Sequence, residues 1–380
     1  MHFFKLANSS KFLVTFIFVL LTLIGCEKNK RAIGPIFTNE VKCTDTDSIG
    51  VWKHLGLSGK NVTAIAVHPE KPNIILAGTS SDFSAGTPAE LFLSADCGHT
   101  WVKVLNLENS IFKFTDIKFD PDNPDIVYAT PLPVIKSTDG GIHWKEISTG
   151  LNVNWETRVS TIAINPINSN IIYIGTAGYF GGSIYKSTDG GENWKDIGGE
   201  DNVYDPGDPD IVRLKSGVTA IAIDPNNPGI IYAGTAQLGD VLKSMDGGHT
   251  WKLTSLMDKG IIHSLTIHPQ NSQVIYAGTW REGFFKSEDG GDTWFEFNEN
   301  VPDSIAGLKL LIDPITFDLY ALYSGHGIGI YYMSKNENSW KKIGIESIKE
   351  YQYSSMSLSS DNKYLYFGSK YQGIYRMRLR

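Results

Sequence analysis

Acidic side chains that could cleave a glycosidic bond cluster in one long segment of this chain. Asp205, Asp208 and Asp210 lie within residues 198–216, and Glu282 lies further along the sequence. Hydrolysis of a glycoside requires two carboxyl groups that flank the scissile bond, about 5–9.5 Å apart depending on the stereochemical outcome. Asp205, Asp208 and Glu282 are therefore candidate catalytic residues, and the sequence favours no particular pair among them.

Arginine and aromatic side chains in other segments indicate binding rather than catalysis. Arginine forms paired hydrogen bonds with carboxylates, and aromatic rings pack against sugars or protein surfaces. Loops of any protein contain such residues, so an unspecific loop composition is the alternative interpretation. The candidate ligand- or partner-binding residues are Arg158, Arg213, Arg281, Trp155, Tyr179, Phe180, Trp280, His326 and Tyr371.

A repeated turn motif, the Asp-box, indicates which elements position these residues. A Ser is followed by Asp two residues later, Gly four residues later and Trp seven residues later, and the pattern occurs five times. In such a turn the Asp carboxylate accepts backbone N–H bonds, Gly adopts positive φ, and the hydroxyls add local bonds. We expect each Trp ring to be buried between neighbouring sheets. Because scaffold positions repeat and active sites do not, these residues are interpreted as structural: Asp96, Asp139, Asp189, Asp246, Asp289, Trp101, Trp144, Trp194, Trp251 and Trp294.

Seven equivalent positions recur along the chain, each inside a short apolar phrase. Their spacing ranges from 44 to 59 residues, close to the period of propeller blades. Within one repeat, apolar runs at 219–223, 230–234 and 241–244 precede the motif, and a fourth run starts at Trp251. Four-stranded sheets of this size bury both faces by stacking around an axis. The seven positions are Leu76, Tyr128, Tyr173, Tyr232, Tyr276, Tyr320 and Tyr366.

The two ends of the repeat region are expected to meet. The last repeat stops after its third strand, 373–380, whereas residues 52–55 have the form of an unpaired fourth strand. The sequence therefore predicts an all-β, seven-bladed β-propeller of four-stranded antiparallel blades. It is closed by pairing of the N-terminal strand, about residues 51–56, with the C-terminal blade, and residues 50–380 form its single domain.

The N-terminus is typical of an exported lipoprotein. Lys5 and Lys11 flank the apolar run 12–24, which is shorter than the roughly 20 residues of a membrane-spanning helix. The phrase that ends in Gly25 and Cys26 resembles a bacterial lipobox, and an ordinary buried cysteine is the alternative. The resemblance implies a signal peptide over 1–25, lipid attachment to Cys26 and a tether over 26–49. Several acyl chains would anchor the protein stably in the cell envelope, at the outer membrane or cell surface.

Charge and composition narrow the classes of partner. The formal net charge of −7 argues against nucleic acid, and no sequence pattern indicates a cofactor or metal site. A monomer is expected.

Cys43 and Cys97 are the remaining cysteines, and an even pair in an exported protein suggests a disulfide. Bonding requires a Cα separation below about 7 Å, which the sequence does not give.

The repeat phrases resemble those of Asp-box (BNR) repeat proteins. The segments 221–225, 230–235 and 243–248 carry the resemblance, which extends over about residues 52–380. This group includes sialidases, xyloglucan-type endoglucanases, sortilin-like Vps10 propellers and photosystem II stability and assembly factors. The chain looks most like the endoglucanase and assembly-factor branches.

The resemblance implies two classes of function. The endoglucanase branch implies glycoside hydrolysis, although that family builds its cleft between two propellers. A sialidase would use three arginines, for which Arg158, Arg213 and Arg281 are candidates, but the Arg-Ile-Pro phrase is absent. The assembly-factor branch implies docking of a membrane-protein partner through basic residues on one face. We therefore expect a non-catalytic envelope scaffold that binds protein or glycan. Binding is expected on the face formed by the loops between the second and third strands and between the fourth strand and the next blade, where the candidate binding residues are predicted. A glycoside hydrolase that uses carboxylates of the same loops is the alternative.

Overall fold

The computed structural model describes residues 43, 47–82, 86–107, 113–154, 156–179, 181–198, 216–301, 305–325, 329–344 and 353–380. These ranges contain 28 β-strands and no α-helix. No helix within them is therefore long and apolar enough to cross a membrane. They all belong to one compact unit, Asn39–Arg380.

Hydrogen bonding groups the strands into antiparallel sheets of four that follow chain order. The first strand, β1 (Trp52–His54), is the exception because it joins the last sheet. Sheet 1 contains β2 (Val62–Val67), β3 (Ile75–Thr79), β4 (Ala89–Ser94) and β5 (Val102–Leu107); sheet 2 contains β6 (Ile117–Phe119), β7 (Val127–Ala129), β8 (Ile135–Ser137) and β9 (Lys145–Glu146); sheet 3 contains β10 (Thr157–Ile164), β11 (Ile172–Gly178), β12 (Ile184–Ser187) and β13 (Lys195–Asp196).

The remaining strands repeat this arrangement. Sheets 5 and 6 are joined by one parallel bridge, from Gly283 to Ala306. The prediction of an all-β chain built from four-stranded antiparallel sheets is confirmed. Sheet 4 contains β14 (Val218–Ile223), β15 (Ile231–Thr235), β16 (Val241–Ser244) and β17 (Lys252–Leu253); sheet 5 contains β18 (Ile262–His268), β19 (Asn271–Thr279), β20 (Gly283–Ser287) and β21 (Phe295–Glu296); sheet 6 contains β22 (Ile305–Ile312), β23 (Leu319–Gly325), β24 (Gly329–Met333) and β25 (Lys341–Lys342); sheet 7 contains β26 (Tyr353–Leu358), β27 (Tyr364–Ser369), β28 (Gly373–Arg378) and β1.

The hydrophobic core lies between the sheets. Each buried cluster combines side chains from two sheets, as in the cluster of Tyr173 and Ile184 from sheet 3 with Val218 and Leu242 from sheet 4. Another cluster joins Ile65 of sheet 1 to sheet 7, the first sheet to the last. Each sheet therefore depends on its neighbours to remove its apolar faces from water.

The Asp-box turns are held by the predicted local bonds. In the third box, Ser187 Oγ donates to Asp189 Oδ1 over 2.8 Å and accepts the Gly191 N–H over 2.9 Å. Asp189 also accepts the backbone N–H of Asn193 over 2.9 Å and its side-chain amide over 2.8 Å. The same set, with Thr in place of Asn, recurs in the boxes of Asp96, Asp246 and Asp289.

The expectation that every box Trp is buried between sheets is confirmed in full for Trp194. It is confirmed in part for three half-buried rings that pack against clusters between two sheets: Trp101, Trp251 and Trp294. Trp194 is 6% exposed, and its indole N–H donates to Ile147 O of sheet 2 over 2.7 Å. Trp340, which lies outside the five boxes, is buried in the same way against Phe297 O. The other four box rings are half-buried: Trp101, Trp144, Trp251 and Trp294.

Acid should destabilise the fold through the box carboxylates. Hydrogen bonds from the Asn193 side chain and backbone lower the pKa of Asp189 to about 2. Because this folded-state pKa lies below that of an unfolded Asp, about 3.9, the stabilisation is complete above pH 4 and is lost as the pH falls towards 2. We expect the Asp189→Asn variant to lose less stability than the wild type between pH 5 and pH 2.5, measured by urea denaturation.

Asp122→Asn is the matched control, since Asp122 is an exposed turn residue. A wild-type protein and an Asp189→Asn variant with the same dependence of unfolding free energy on pH would contradict the prediction.

Three pairs of sheets are linked by an interaction that the sequence did not predict, in which a Tyr hydroxyl and a Lys ammonium donate to one backbone carbonyl of the next sheet. We call it the clasp. Tyr173 Oη and Lys186 Nζ of sheet 3 both donate to Gly247 O, in the box turn of sheet 4, over 3.0 and 2.9 Å. The ammonium also lies 5.5 Å from the centre of the tyrosine ring. Equivalent pairs cross from sheet 2 to sheet 3 and from sheet 4 to sheet 5: Tyr128 with Lys136 on Gly190 O, and Tyr232 with Lys243 on Gly290 O.

The N-terminal segment is fastened to both sheet 7 and sheet 1. Strand β1 pairs with β28, with Trp52 opposite Met377. Cys43 and Cys97 form a disulfide with their Cα atoms 5.6 Å apart, which resolves the question that the sequence left open. Arg376, 1% exposed, donates from Nη1 to Cys97 O over 3.0 Å and from Nε to Asp47 over 3.0 Å.

Candidate binding site

Because antiparallel strands alternate in direction, the connections in each sheet lie at the two opposite ends of its strands. The turns between the first and second strands and the box turns lie at one end. The connections between the second and third strands, and those leading into the next sheet, lie at the other end. We call the latter the loop face; it carries Tyr179, Trp280, Arg281, Glu282 and Tyr371.

A cavity of about 860 Å³ opens at the loop face. We call it the mouth cavity; its charged and aromatic lining consists of Lys113, Phe114, Glu156, Arg158, Tyr179 and His263. Arg158 was predicted on a loop, but it lies in β10, opposite Ala177 of β11. The structure therefore brings together two predicted binding residues, Arg158 and Tyr179, and adds Lys113 and His263 to them.

Lysine 113 makes the cavity basic. Desolvation in the cavity and the charge of Arg158 both lower the pKa of Lys113. Burial and the charge of Lys113 lower the pKa of His263 to about 4, so this imidazole is neutral at physiological pH. Two cationic side chains with one carboxylate, Glu156, leave a lining that favours an anionic group.

Trp280, Arg281 and Glu282 form the tip between β19 and β20. The Trp280 ring packs edge-on against His263 with their centroids 5.5 Å apart, so it adjoins the mouth cavity. Arg281 is exposed and adopts φ 83° at the turn, and it is not among the described residues that line the cavity. Glu282 pairs with Lys259 Nζ over 2.8 Å.

Tyr371 occupies the equivalent tip between β27 and β28. It also has positive φ, 66°, and its ring is partly exposed. A hydrogen bond with the Asp82 carboxylate of sheet 1 raises the pKa of the Tyr371 phenol. This tip therefore connects sheets 7 and 1 at the loop face and does not reach the mouth cavity, whose described lining excludes it.

Several predicted residues lie outside the part of the chain that the structure describes. Among the described residues, no three His, Cys, Asp or Glu side chains are grouped so that they could hold a metal ion. Lys113 was missed as a site residue because it is a single polar residue next to an ordinary strand pattern. The predicted residues outside the described ranges are Cys26, Trp155, Phe180, Asp205, Asp208, Arg213 and His326.

Two protein families match different parts of the chain. Residues 62–217 match the photosynthesis system II assembly factor YCF48, and residues 239–375 match sortilin, neurotensin receptor 3, of the Sortilin-Vps10 family. The resemblance to Asp-box repeat propellers is confirmed. Each match covers less than half of the chain, and together they extend over most of the repeats.

Similar proteins include both enzymes and a peptide-binding protein. Xyloglucanase Xgh74A of Acetivibrio thermocellus is 27% identical over 251 residues, covering 54% of this chain and 29% of the enzyme. The structure of the GH74 xyloglucanase of Xanthomonas campestris has a TM-score of 0.63 at 14% identity, covering 87% of this chain and 54% of the enzyme. YCF48 bound to D1 peptide has a TM-score of 0.59 at 14% identity, covering 90% of this chain and 98% of YCF48.

These similarities support the propeller fold, and they do not assign an activity to this chain. The structural matches are too distant in sequence to carry more than the propeller fold. The chain spans less than a third of the curated xyloglucanase that it matches. It spans nearly the whole of the peptide-bound assembly factor.

Proposed function

We propose that this protein is a non-catalytic scaffold of the bacterial cell envelope that binds a partner through its loop face. The observation that carries the proposal is the mouth cavity, in which Lys113, Arg158 and Tyr179 meet. Two cations and an exposed phenol suit an acidic segment of a protein better than a neutral sugar. The likeness to YCF48 bound to D1 peptide supports a protein partner, and a glycan is the other outcome of the test.

We further propose that the sheets form a closed ring of seven blades, which is what gathers their loops onto one face. Bonds between consecutive sheets support it: Thr63 Oγ1 donates to Phe114 O over 2.7 Å, and Thr219 Oγ1 donates to Ile262 O over 2.7 Å. Ser355 Oγ of sheet 7 donates to Val62 O of sheet 1 over 3.4 Å. The pairing of β1 with β28 supports closure as well.

The location follows from the N-terminal pattern. We propose export, removal of residues 1–25 and lipid attachment at Cys26, with residues 26–49 as the tether. The disulfide between Cys43 and Cys97 is consistent with an oxidising compartment. Metabolic labelling with an alkyne fatty acid tests this point, since a Cys26→Ser variant should lose the label.

Charge reversal in the mouth cavity should abolish partner binding. The double variant Lys113→Glu, Arg158→Glu places two carboxylates where an acidic partner segment would lie, and like charges at an interface cost several kcal/mol. We expect recovery of the partner from envelope fractions to fall about tenfold or more, measured by quantitative mass spectrometry.

The control double variant is Lys195→Glu, Lys252→Glu, which changes the same charge on exposed fourth strands. It should recover the partner like the wild type. Equal recovery by the cavity variant and the wild type would contradict the proposal, as would retention by glycans alone.

The alternative is a glycoside hydrolase, and the identity to Xyloglucanase Xgh74A favours it. A reducing-end assay on xyloglucan with Asp205→Ala, Asp208→Ala and Glu282→Ala separates the two functions. Wild-type activity that disappears in one of these variants would replace the scaffold proposal with the enzyme.

A further inference from the structure

A second cavity, of about 500 Å³, is lined by the first strands of the sheets, and we call it the axial cavity. In six sheets the first strand has an irregularity in its pairing with the second strand, and the residue just after it lines this cavity. In sheet 4 the irregularity lies between Val218 and Ala220. A bulge of this kind redirects the local side chains. Five of the seven equivalent positions are small, and two are charged: Ala64, Asp116, Thr161, Ala220, Ser264, Lys309 and Ser355.

The Lys309 ammonium has no counter-charge within ion-pair distance among the described residues. Asp116, the acid at the equivalent position of sheet 2, pairs instead with Lys118 over 3.5 Å. An ammonium shielded from water without a partner is costly, so a lysine at a position that five of the other six sheets fill with Ala, Ser or Thr requires an explanation.

Two more polar atoms in the same wall are unsatisfied. Ser264 Oγ and His263 Nε2 are buried without a hydrogen-bond partner in the described part of the chain, and both residues line the axial cavity. They lie on β18, beside the strand that carries Lys309, as the bond from Thr266 Oγ1 to Leu310 O over 2.9 Å shows. An ammonium, a hydroxyl and an imidazole on adjacent strands are donors that suit an anion with several oxygens.

We propose that the axial cavity binds a small free oxyanion between Lys309 and the side chains of His263 and Ser264. The anion supplies the counter-charge that Lys309 lacks and accepts bonds from donors that the protein leaves unused. The site lies inside the wall of small side chains. It adjoins the mouth cavity through His263, which lines both cavities, whereas Lys309 lines only the axial cavity among the described residues.

Four ionisable groups face this site: Asp116, Lys118, His263 and Lys309. Burial and the charge of Lys118 lower the pKa of Lys309 to about 8, against the opposing effect of Asp116. His263, with a pKa of about 4, stays neutral between pH 6 and 9. Lys309 is therefore charged at pH 6.5 and largely neutral at pH 9, and oxyanion affinity should fall over that interval.

Isothermal titration of the full chain with inorganic phosphate and with sulfate, at constant ionic strength, tests the site. We expect saturable binding by the wild type, about tenfold or more weaker binding by Lys309→Met, and stronger binding by Asp116→Asn, which removes a competing negative charge. Lys252→Met is the matched control, since Lys252 is exposed on β17.

Lys309→Arg keeps the charge, so it should retain binding and lose the decline at pH 9. This variant, with Asp116→Asn, keeps the test decisive if Lys309→Met does not fold. Absence of saturable binding by the wild type would overturn the proposal. Equal affinities of the wild type and Lys309→Met for the anion would overturn it too. Binding that does not depend on Lys309 would be that of an adventitious ion only.

Discussion

Arg376→Met is expected to lower the free energy of unfolding by about 3–5 kcal/mol, because it leaves a buried charge without its partner. The guanidinium is buried and binds Asp47 and Cys97 O at the point where the N-terminal segment meets sheets 7 and 1. Its removal leaves the Asp47 carboxylate, 8% exposed, with Lys53 as its only charged partner among the residues that the structure describes. Urea denaturation with tryptophan fluorescence measures the loss.

A double variant separates the cost of a broken pair from the value of the pair. Replacing a buried ion pair by apolar side chains is often neutral, so Arg376→Met with Asp47→Leu should recover most of the lost stability. Lys341→Met breaks an exposed pair with Glu337 and should cost about 1 kcal/mol or less. An Arg376→Met variant as stable as Lys341→Met would contradict the role assigned to this residue.

Trp194→Ala should cost about 3–5 kcal/mol, because its ring fills the interface between sheets 2 and 3. The side chain packs with Tyr128, Ile147 and Tyr185, and its indole N–H has a partner in the neighbouring sheet. Trp194→Phe keeps most of the apolar contact and loses the hydrogen bond, so its cost should be nearer 1 kcal/mol.

Trp144→Ala is the matched comparison, since it occupies the same motif position with a half-buried ring. Its indole N–H donates to Gly141 O of its own turn over 3.0 Å, so no bond between sheets is lost. We expect a smaller decrease in the unfolding free energy than for Trp194→Ala. Equal losses would indicate that the indoles stabilise the turns and not the interfaces.

The sequence predicted what is local and missed what connects distant segments. The bonds of Asp189 were predictable because donor and acceptor lie within four residues of each other. The clasp from Lys186 to Gly247 was not, because its partners lie 61 residues apart and the lysine resembles any half-exposed strand residue. Burial of a box Trp also depends on the neighbouring sheet, so the motif alone could not separate Trp194 from Trp144.

The candidate site was predicted only in part, for the same reason. Arg158 and Tyr179 were chosen as loop residues with suitable chemistry, and the structure places both on the mouth cavity. Lys113 joins them from a different sheet, which spacing along the chain does not reveal. Lys309 follows the strand pattern of its neighbours, and only the register of β22 shows that it occupies a position held by small residues in five of the other six sheets.

Site-specific photo-crosslinking tests the central claim, that partner binding takes place at the loop face, most directly. A photoreactive phenylalanine analogue would replace Tyr179, 85% exposed on the loop face, or Ile167, 72% exposed at the opposite end of the strands. We predict that the analogue at position 179 forms a defined adduct with one envelope protein, and that the analogue at position 167 forms none. Adducts from position 167 alone would contradict the account.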